Sequence, residues 1–132
     1  MENLSLITRY YGEFTENLSA SWYIESETQS LICLCERFEN FKEDICKFEN
    51  ENNDIKFNNY KGFLLKKGLN VDLLGIENII ISSLDEYSLI SLLYYVIERE
   101  KSEVGYFMRI VRKGIIEEIV STLFFLNLKY EI

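Results

Sequence analysis

The stretch Ser83-Leu84-Asp85-Glu86-Tyr87-Ser88-Leu89-Ile90-Ser91-Leu92-Leu93-Tyr94-Tyr95-Val96-Ile97 decides how this chain is built. Its first four residues have the Ser-x-x-Glu spacing in which a serine and a glutamate satisfy each other's backbone amides, so a helix is predicted to start at Ser83. Beyond them, only Ser88 and Ser91 interrupt a sequence that is apolar on nearly every face of a helix. A helix with no polar side needs neighbours on several sides, which places this one at the centre of the fold. It closes in the charged run Glu98-Arg99-Glu100-Lys101.

On the C-terminal side, Ser102 is predicted to cap a helix whose Val104, Phe107, Met108 and Val111 share one face, with Gly114 as its stop. A last helix over 115–126 is predicted to bury Ile115, Ile116, Ile119, Val120, Leu123 and Phe124, leaving 127–132 to fray. On the N-terminal side, a short helix over 58–67 turns Tyr60, Phe63, Leu64 and the stem of Lys67 inward and stops at Gly68. Residues 71–81 suit either a turn of helix or an extended piece broken at Gly75. The loop formers of 49–59 mark the best internal boundary.

Upstream of that boundary, residues 31–49 read as an amphipathic helix. Leu31, Leu34, Phe38, Phe41, Ile45 and Phe48 fall on one stripe about 100° wide. Glu36, Glu39 and Glu43 form a ridge almost opposite, with Asp44 to one side and Lys47 next to the ridge. Residues 1–35 stay open between two readings. Leu4, Ile7, Tyr11, Phe14 and Leu18 have helical spacing, while 18–24 and 31–35, separated by polar residues, suit a small β-hairpin. The chain is expected to be mainly α: one compact helical domain over 1–132, with an acidic half over 1–54 and a helical scaffold over 55–126.

Composition narrows the function classes. With 132 residues, 48% of them hydrophobic, there is ample material for one core. Residues 1–54 hold twelve carboxylates against four cations, while 55–132 carry ten of each, so the net charge of -8 belongs to the first half. A pI near 4.6 disfavours direct nucleic-acid binding, which draws its affinity from cations on phosphates. The chain contains no histidine, which removes the usual catalytic triads, most zinc sites and the usual pH switch. The longest unbroken apolar run, 92–97, is far below the roughly 18 residues of a membrane span, so no membrane insertion is expected. The opening Met1-Glu2-Asn3-Leu4-Ser5 does not read as a signal peptide, and a cytoplasmic location with reduced thiols is expected. In that compartment the N-x-S sequons at Asn3 and Asn17 carry no meaning.

Several chemistry-bearing groups read better as structure. Glu117 with Glu118, and Asp85 with Glu86, sit in first helical turns where the helix dipole favours negative charge. On a continuous helix Cys33 and Cys35 diverge by about 200°, and Cys35 lies about 16 Å from Cys46, so the three cysteines are expected to be buried apolar residues with no metal. Glu49, Glu51 and Asp54 lack the glycine and terminal glutamate of a calcium loop. The glycines are scattered, leaving no phosphate-cradling loop. Arg109, Arg112 and Lys113 form the one concentrated basic patch, with Tyr106 close enough to add a stacking surface; cations there also complement the helix dipole.

From 87 to 123 the chain resembles an uncharacterised bacterial domain family. Its members show an apolar helix, a signature R-x-x-R-F-x-x-G, a second glycine nine residues later and a final apolar helix. The corresponding stretch here is Ile97-Glu98-Arg99-Glu100-Lys101-Ser102-Glu103-Val104-Gly105, followed by Gly114 and Leu123. Both glycines and the leucine keep their spacing. Glu98 and Lys101 replace the two arginines and Ser102 replaces the phenylalanine. The resemblance implies a helical scaffold and brings no activity with it.

These observations point to a non-enzymatic interaction protein without cofactor, whose acidic half meets a basic surface on a protein partner through Glu36, Glu39, Glu43 and Asp44. A small acidic chain of this kind suits a phage or mobile-element inhibitor of a nucleic-acid-handling defence complex, in the manner of an anti-CRISPR protein, acting in the host cytoplasm. The alternative is a small-ligand or nucleotide-binding domain built on Tyr106, Arg109, Arg112 and Lys113.

Overall fold

The computed structural model describes residues 3–15, 23–25, 32–34, 36–52 and 59–131. The architecture is mainly helical. In chain order, α1 is Ser5–Thr8, α2 Glu36–Glu51, α3 Tyr60–Lys66, α4 Val71–Leu74, α5 Glu86–Ser102, α6 Tyr106–Arg112 and α7 Ile115–Glu131. Two single turns of 3-10 helix, Ile76–Asn78 and Ile81–Ser83, link α4 to α5. Strands β1, Tyr23–Glu25, and β2, Ile32–Leu34, pair antiparallel over three residues.

Helix α5 occupies the centre, as a sequence apolar on nearly every face through Ile97 demands. Every residue from Ser88 through Ile97 is buried, and α5 contacts α3, α6 and α7. Its start differs from the expectation. Asp85 caps the helix, accepting the Ser88 amide at 2.9 Å, while the Ser83 hydroxyl donates to the Ile80 carbonyl and closes the preceding 3-10 turn. Two groups competed for the same role, and the aspartate next to the helix won it.

The end of α5 differs too. Ser102 is its last residue and does not cap α6. The chain instead turns at Gly105, whose φ of 93° belongs to the left-handed region that suits glycine. Glu100 then reaches over to accept the amides of Gly105 at 2.9 Å and Phe107 at 2.8 Å. Val104, expected in the core, is consequently 68% exposed, whereas Phe107, Met108 and Val111 are buried.

Helix α2 begins at Glu36 and not at residue 31, because Ile32–Leu34 is extended and paired with β1. The helical stripe therefore reduces to Phe38, Phe41, Ile45 and Phe48, all buried. Residues 18 and 31, which the two N-terminal readings used, lie outside the described residues, as do Asn17, Cys35 and Asp54. The first stretch is a single turn, α1, followed by further turns through Phe14. Its buried face is Leu4, Ile7, Tyr10 and Phe14; Tyr11 is 43% exposed and stacks on Phe124 with ring centroids 4.5 Å apart.

One contiguous apolar cluster runs from Leu4 to Leu123. Its aromatic centre joins the N-terminal turn, α2 and α6: Phe41 meets Tyr10 at 4.9 Å and Phe14 at 5.0 Å, and Phe38 meets Phe107 at 4.7 Å, all edge-on. Edge-to-face contacts of this kind add a specific geometry to the area that aromatic rings bury.

Helix α3 spans Tyr60–Lys66 and closes at Gly68 as expected, with the Leu69 amide donating to Leu64. Tyr60 and Leu64 are buried, but Lys67 is exposed and pairs with Asp85 at 3.3 Å. Helix α7 extends to Glu131, past the fraying expected from 127 onward. Among the described residues no helix is long and apolar enough to cross a membrane.

Candidate functional site

The apolar stripe of α2 fixes the direction of its opposite face. With Phe38, Phe41, Ile45 and Phe48 turned into the core, Glu36, Glu39, Asn40, Glu43 and Lys47 are carried to the exposed side. Glu36, Glu39 and Glu43 make no ion pair among the described residues. Seven other described carboxylates do form ion pairs. Glu13 pairs with Arg37, Asp44 with Arg9, Asp72 with Lys61 and Arg99, Asp85 with Lys67, Glu98 with Lys101, Glu103 with Arg99 and Arg109, and Glu77 with Lys113. Glu100 and Glu117 are committed to backbone amides.

Asp44 does not belong with the exposed ridge. It is 4% exposed, accepts the Tyr10 hydroxyl at 2.5 Å and pairs with Arg9. Its place on the helical wheel, beside Ile45 and Phe41, turns it toward the N-terminal turn. Two of the four cations in the acidic half, Arg9 and Arg37, are thus engaged internally. A hollow of about 410 Å³ lies between that turn and α2, bordered by Arg9, Glu13, Asn40, Glu43 and Lys47. It extends the ridge sideways. Asn40 and Glu13 were absent from the sequence-derived surface, although Asn40 shares the spacing of the ridge glutamates.

The basic residues of α6 are arranged differently from the expected patch. Tyr106 is buried, 4% exposed, with its ring 6.3 Å from Tyr95 and edge-on to it. The guanidinium groups of Arg99 and Arg109 each stand 5.1 Å from its ring centroid, so the surface expected to stack on a ligand is already in contact with cations. Arg109 pairs with Glu103 at 3.2 Å and Lys113 with Glu77 at 3.4 Å. Arg112 is exposed. Partial desolvation works to raise the Glu77 carboxyl, but its own backbone amide and Lys113 outweigh this and hold it below the ordinary glutamate range.

Of the three cysteines, Cys35 lies outside the described residues. Cys33 lies on β2 and Cys46 on α2, where it is exposed, contrary to the expectation of burial. Glu117 and Glu118 are differently placed: Glu117 accepts the amides of Gly12 at 2.8 Å and Phe14 at 3.1 Å, whereas Glu118 is exposed.

No family model matches the chain, and comparison with curated proteins and with solved structures finds no match.

Proposed function

We propose that this chain is a non-enzymatic interaction protein that binds a basic surface of a protein partner through Glu36, Glu39 and Glu43 on α2. The observation that carries this reading is the pairing pattern. These three glutamates are exposed on one helical face and make no ion pair among the described residues, while Asp44 and Glu13 beside them are each paired with an arginine. Unmatched like charges on one face raise the local potential, steer an oppositely charged partner and make association salt-dependent. Asn40 and Glu13 extend the contact toward the hollow beside α2.

Within that class the protein acts as an inhibitor, carried by a phage or mobile element, of a nucleic-acid-handling defence complex. Such complexes expose the basic grooves that an acidic surface would occupy, and the site of action is then the host cytoplasm. No cofactor enters this reading. The alternative surface around Arg109 is less suited, because Glu103 and Glu77 already compensate two of its cations and Tyr106 is buried.

The test is charge reversal of Glu36, Glu39 and Glu43 to lysine. Loss of partner capture with an unchanged melting temperature supports the reading. Loss of capture only when Arg109 and Arg112 are replaced moves the site to α6.

A further inference from the structure

Asp72, on the one-turn helix α4, holds its carboxylate against three donors supplied by other helices. Its Oδ1 accepts the Tyr95 hydroxyl at 3.2 Å and lies 3.7 Å from Arg99 Nη1, while its Oδ2 lies 3.4 Å from Lys61 Nζ. Arg99 Nη1 also donates to the Tyr95 oxygen at 2.6 Å, which turns the phenolic hydrogen toward Asp72. One cation from α3 and a cation and a phenol from α5 therefore converge on the two oxygens of a single carboxylate.

Two hollows, of about 360 and 340 Å³, meet at this point and share Lys61, Asp72 and Tyr95 as common lining. The first is otherwise mostly apolar, lined by Leu64, Leu65, Leu69 and Val71. The carboxylate that divides them is weakly retained. The Asp72 side chain is 56% exposed, as is 59% of Lys61, and ion pairs this open to water contribute little. Helix α4 is a single turn capped by Asn70 and ended by Gly75 at φ 79°, with Val71 buried and Leu73 80% exposed.

We propose that Lys61, Tyr95 and Arg99 form a binding site for a small hydrophobic monocarboxylate, and that Asp72 occupies it in cis. The ligand carboxylate replaces that of Asp72 on the three donors, and its apolar body enters the hollow lined by Leu64, Leu65, Leu69 and Val71. The apolar lining of the first hollow favours a carboxylate that carries a hydrophobic body over inorganic phosphate. An intramolecular competitor acts at a high effective concentration, so the native chain binds such a ligand weakly and removal of Asp72 exposes the full affinity.

The experiment titrates phenylacetate, isovalerate and inorganic phosphate into the full chain, reading affinity by calorimetry and location by amide chemical shifts. Asp72→Ala and Asp72→Asn are each expected to bind phenylacetate about three- to fivefold more tightly than the native chain, with shifts at Lys61, Tyr95 and Arg99. Asp72→Asn keeps the side-chain volume, so at least one of the two reports on a folded protein. Glu118→Gln removes an equal charge elsewhere and is expected to leave affinity unchanged. Adding Arg99→Gln to Asp72→Asn is expected to abolish binding. The proposal is overturned if neither Asp72 variant gains affinity, if Glu118→Gln gains as much, if binding survives loss of Arg99, or if phosphate binds as tightly as phenylacetate.

Discussion

The hydroxyl of Tyr10 donates to the buried carboxylate of Asp44 at 2.5 Å, across 34 residues of sequence. This bond, with the adjoining Arg9 pair, fastens the N-terminal turn to α2 on the flank of the acidic ridge. It separates two kinds of carboxylate that are neighbours in sequence: Glu43 faces water, and Asp44 builds the fold.

Asp44→Ala removes the acceptor from a buried hydroxyl and a guanidinium. A hydrogen bond to a charged group contributes about 2 kcal/mol, and the variant is expected to lose stability on that order in urea denaturation. Partner capture at temperatures where the variant remains folded is expected to persist, because the ridge glutamates are untouched.

Alkaline pH should weaken the fold through its buried tyrosines. Burial first, and Asp44 second, push the Tyr10 hydroxyl well above its ordinary value; burial does the same to Tyr94 and Tyr106. Below about pH 10 these groups are protonated in both folded and unfolded chains, so their contribution is fully present. Above it the unfolded chain ionises first, holds fewer protons than the folded one, and stability falls. Melting temperatures should hold between pH 8 and about 9.5 and decline toward pH 11, less steeply in Tyr10→Phe.

The amides at the start of α6 depend on Glu100 and not on Ser102. Glu100→Ala withdraws the acceptor from Gly105 and Phe107 and is expected to cost about 1 to 2 kcal/mol, comparable to loss of a helix cap. Ser102→Ala is expected to change stability by less than about 0.5 kcal/mol, in line with ordinary surface substitutions. Equal effects from the two would contradict the assignment.

Glu117 joins the N-terminal turn to α7 by accepting from Gly12 and Phe14. Glu117→Ala should raise hydrogen exchange at those two amides by at least tenfold, while Glu118→Ala leaves them unchanged. A cost near 2 kcal/mol is expected for Glu117 alone.

Much of this arrangement was legible in the sequence wherever one pattern dominated. The stretch from Leu89 to Ile97, apolar but for Ser91, needed burial on all sides and received it at the centre; the stripe of Phe38, Phe41, Ile45 and Phe48 fixed the exposed face of α2. Local competition between capping groups was not legible. Ser83 and Ser102 carry the right chemistry, but Asp85 and Glu100 reach the amides first, and only backbone geometry decides between them. Residue 44 illustrates a second limit. The helical wheel sets Asp44 at the border of the ridge, and burial follows from Tyr10 and Arg9, which are remote in sequence. The Asp72 cluster assembles from α3, α4 and α5, a juxtaposition that no spacing along the chain announces.

The most direct test of the account is quantitative co-precipitation from the native host, comparing the native chain, a variant with Glu36, Glu39 and Glu43 changed to lysine, and a control with Glu118 changed to lysine. The native chain and the control are expected to retain the same basic protein, released as salt is raised, and the triple variant to retain none while melting at the native temperature. Equal retention of that protein by the triple variant would contradict that expectation.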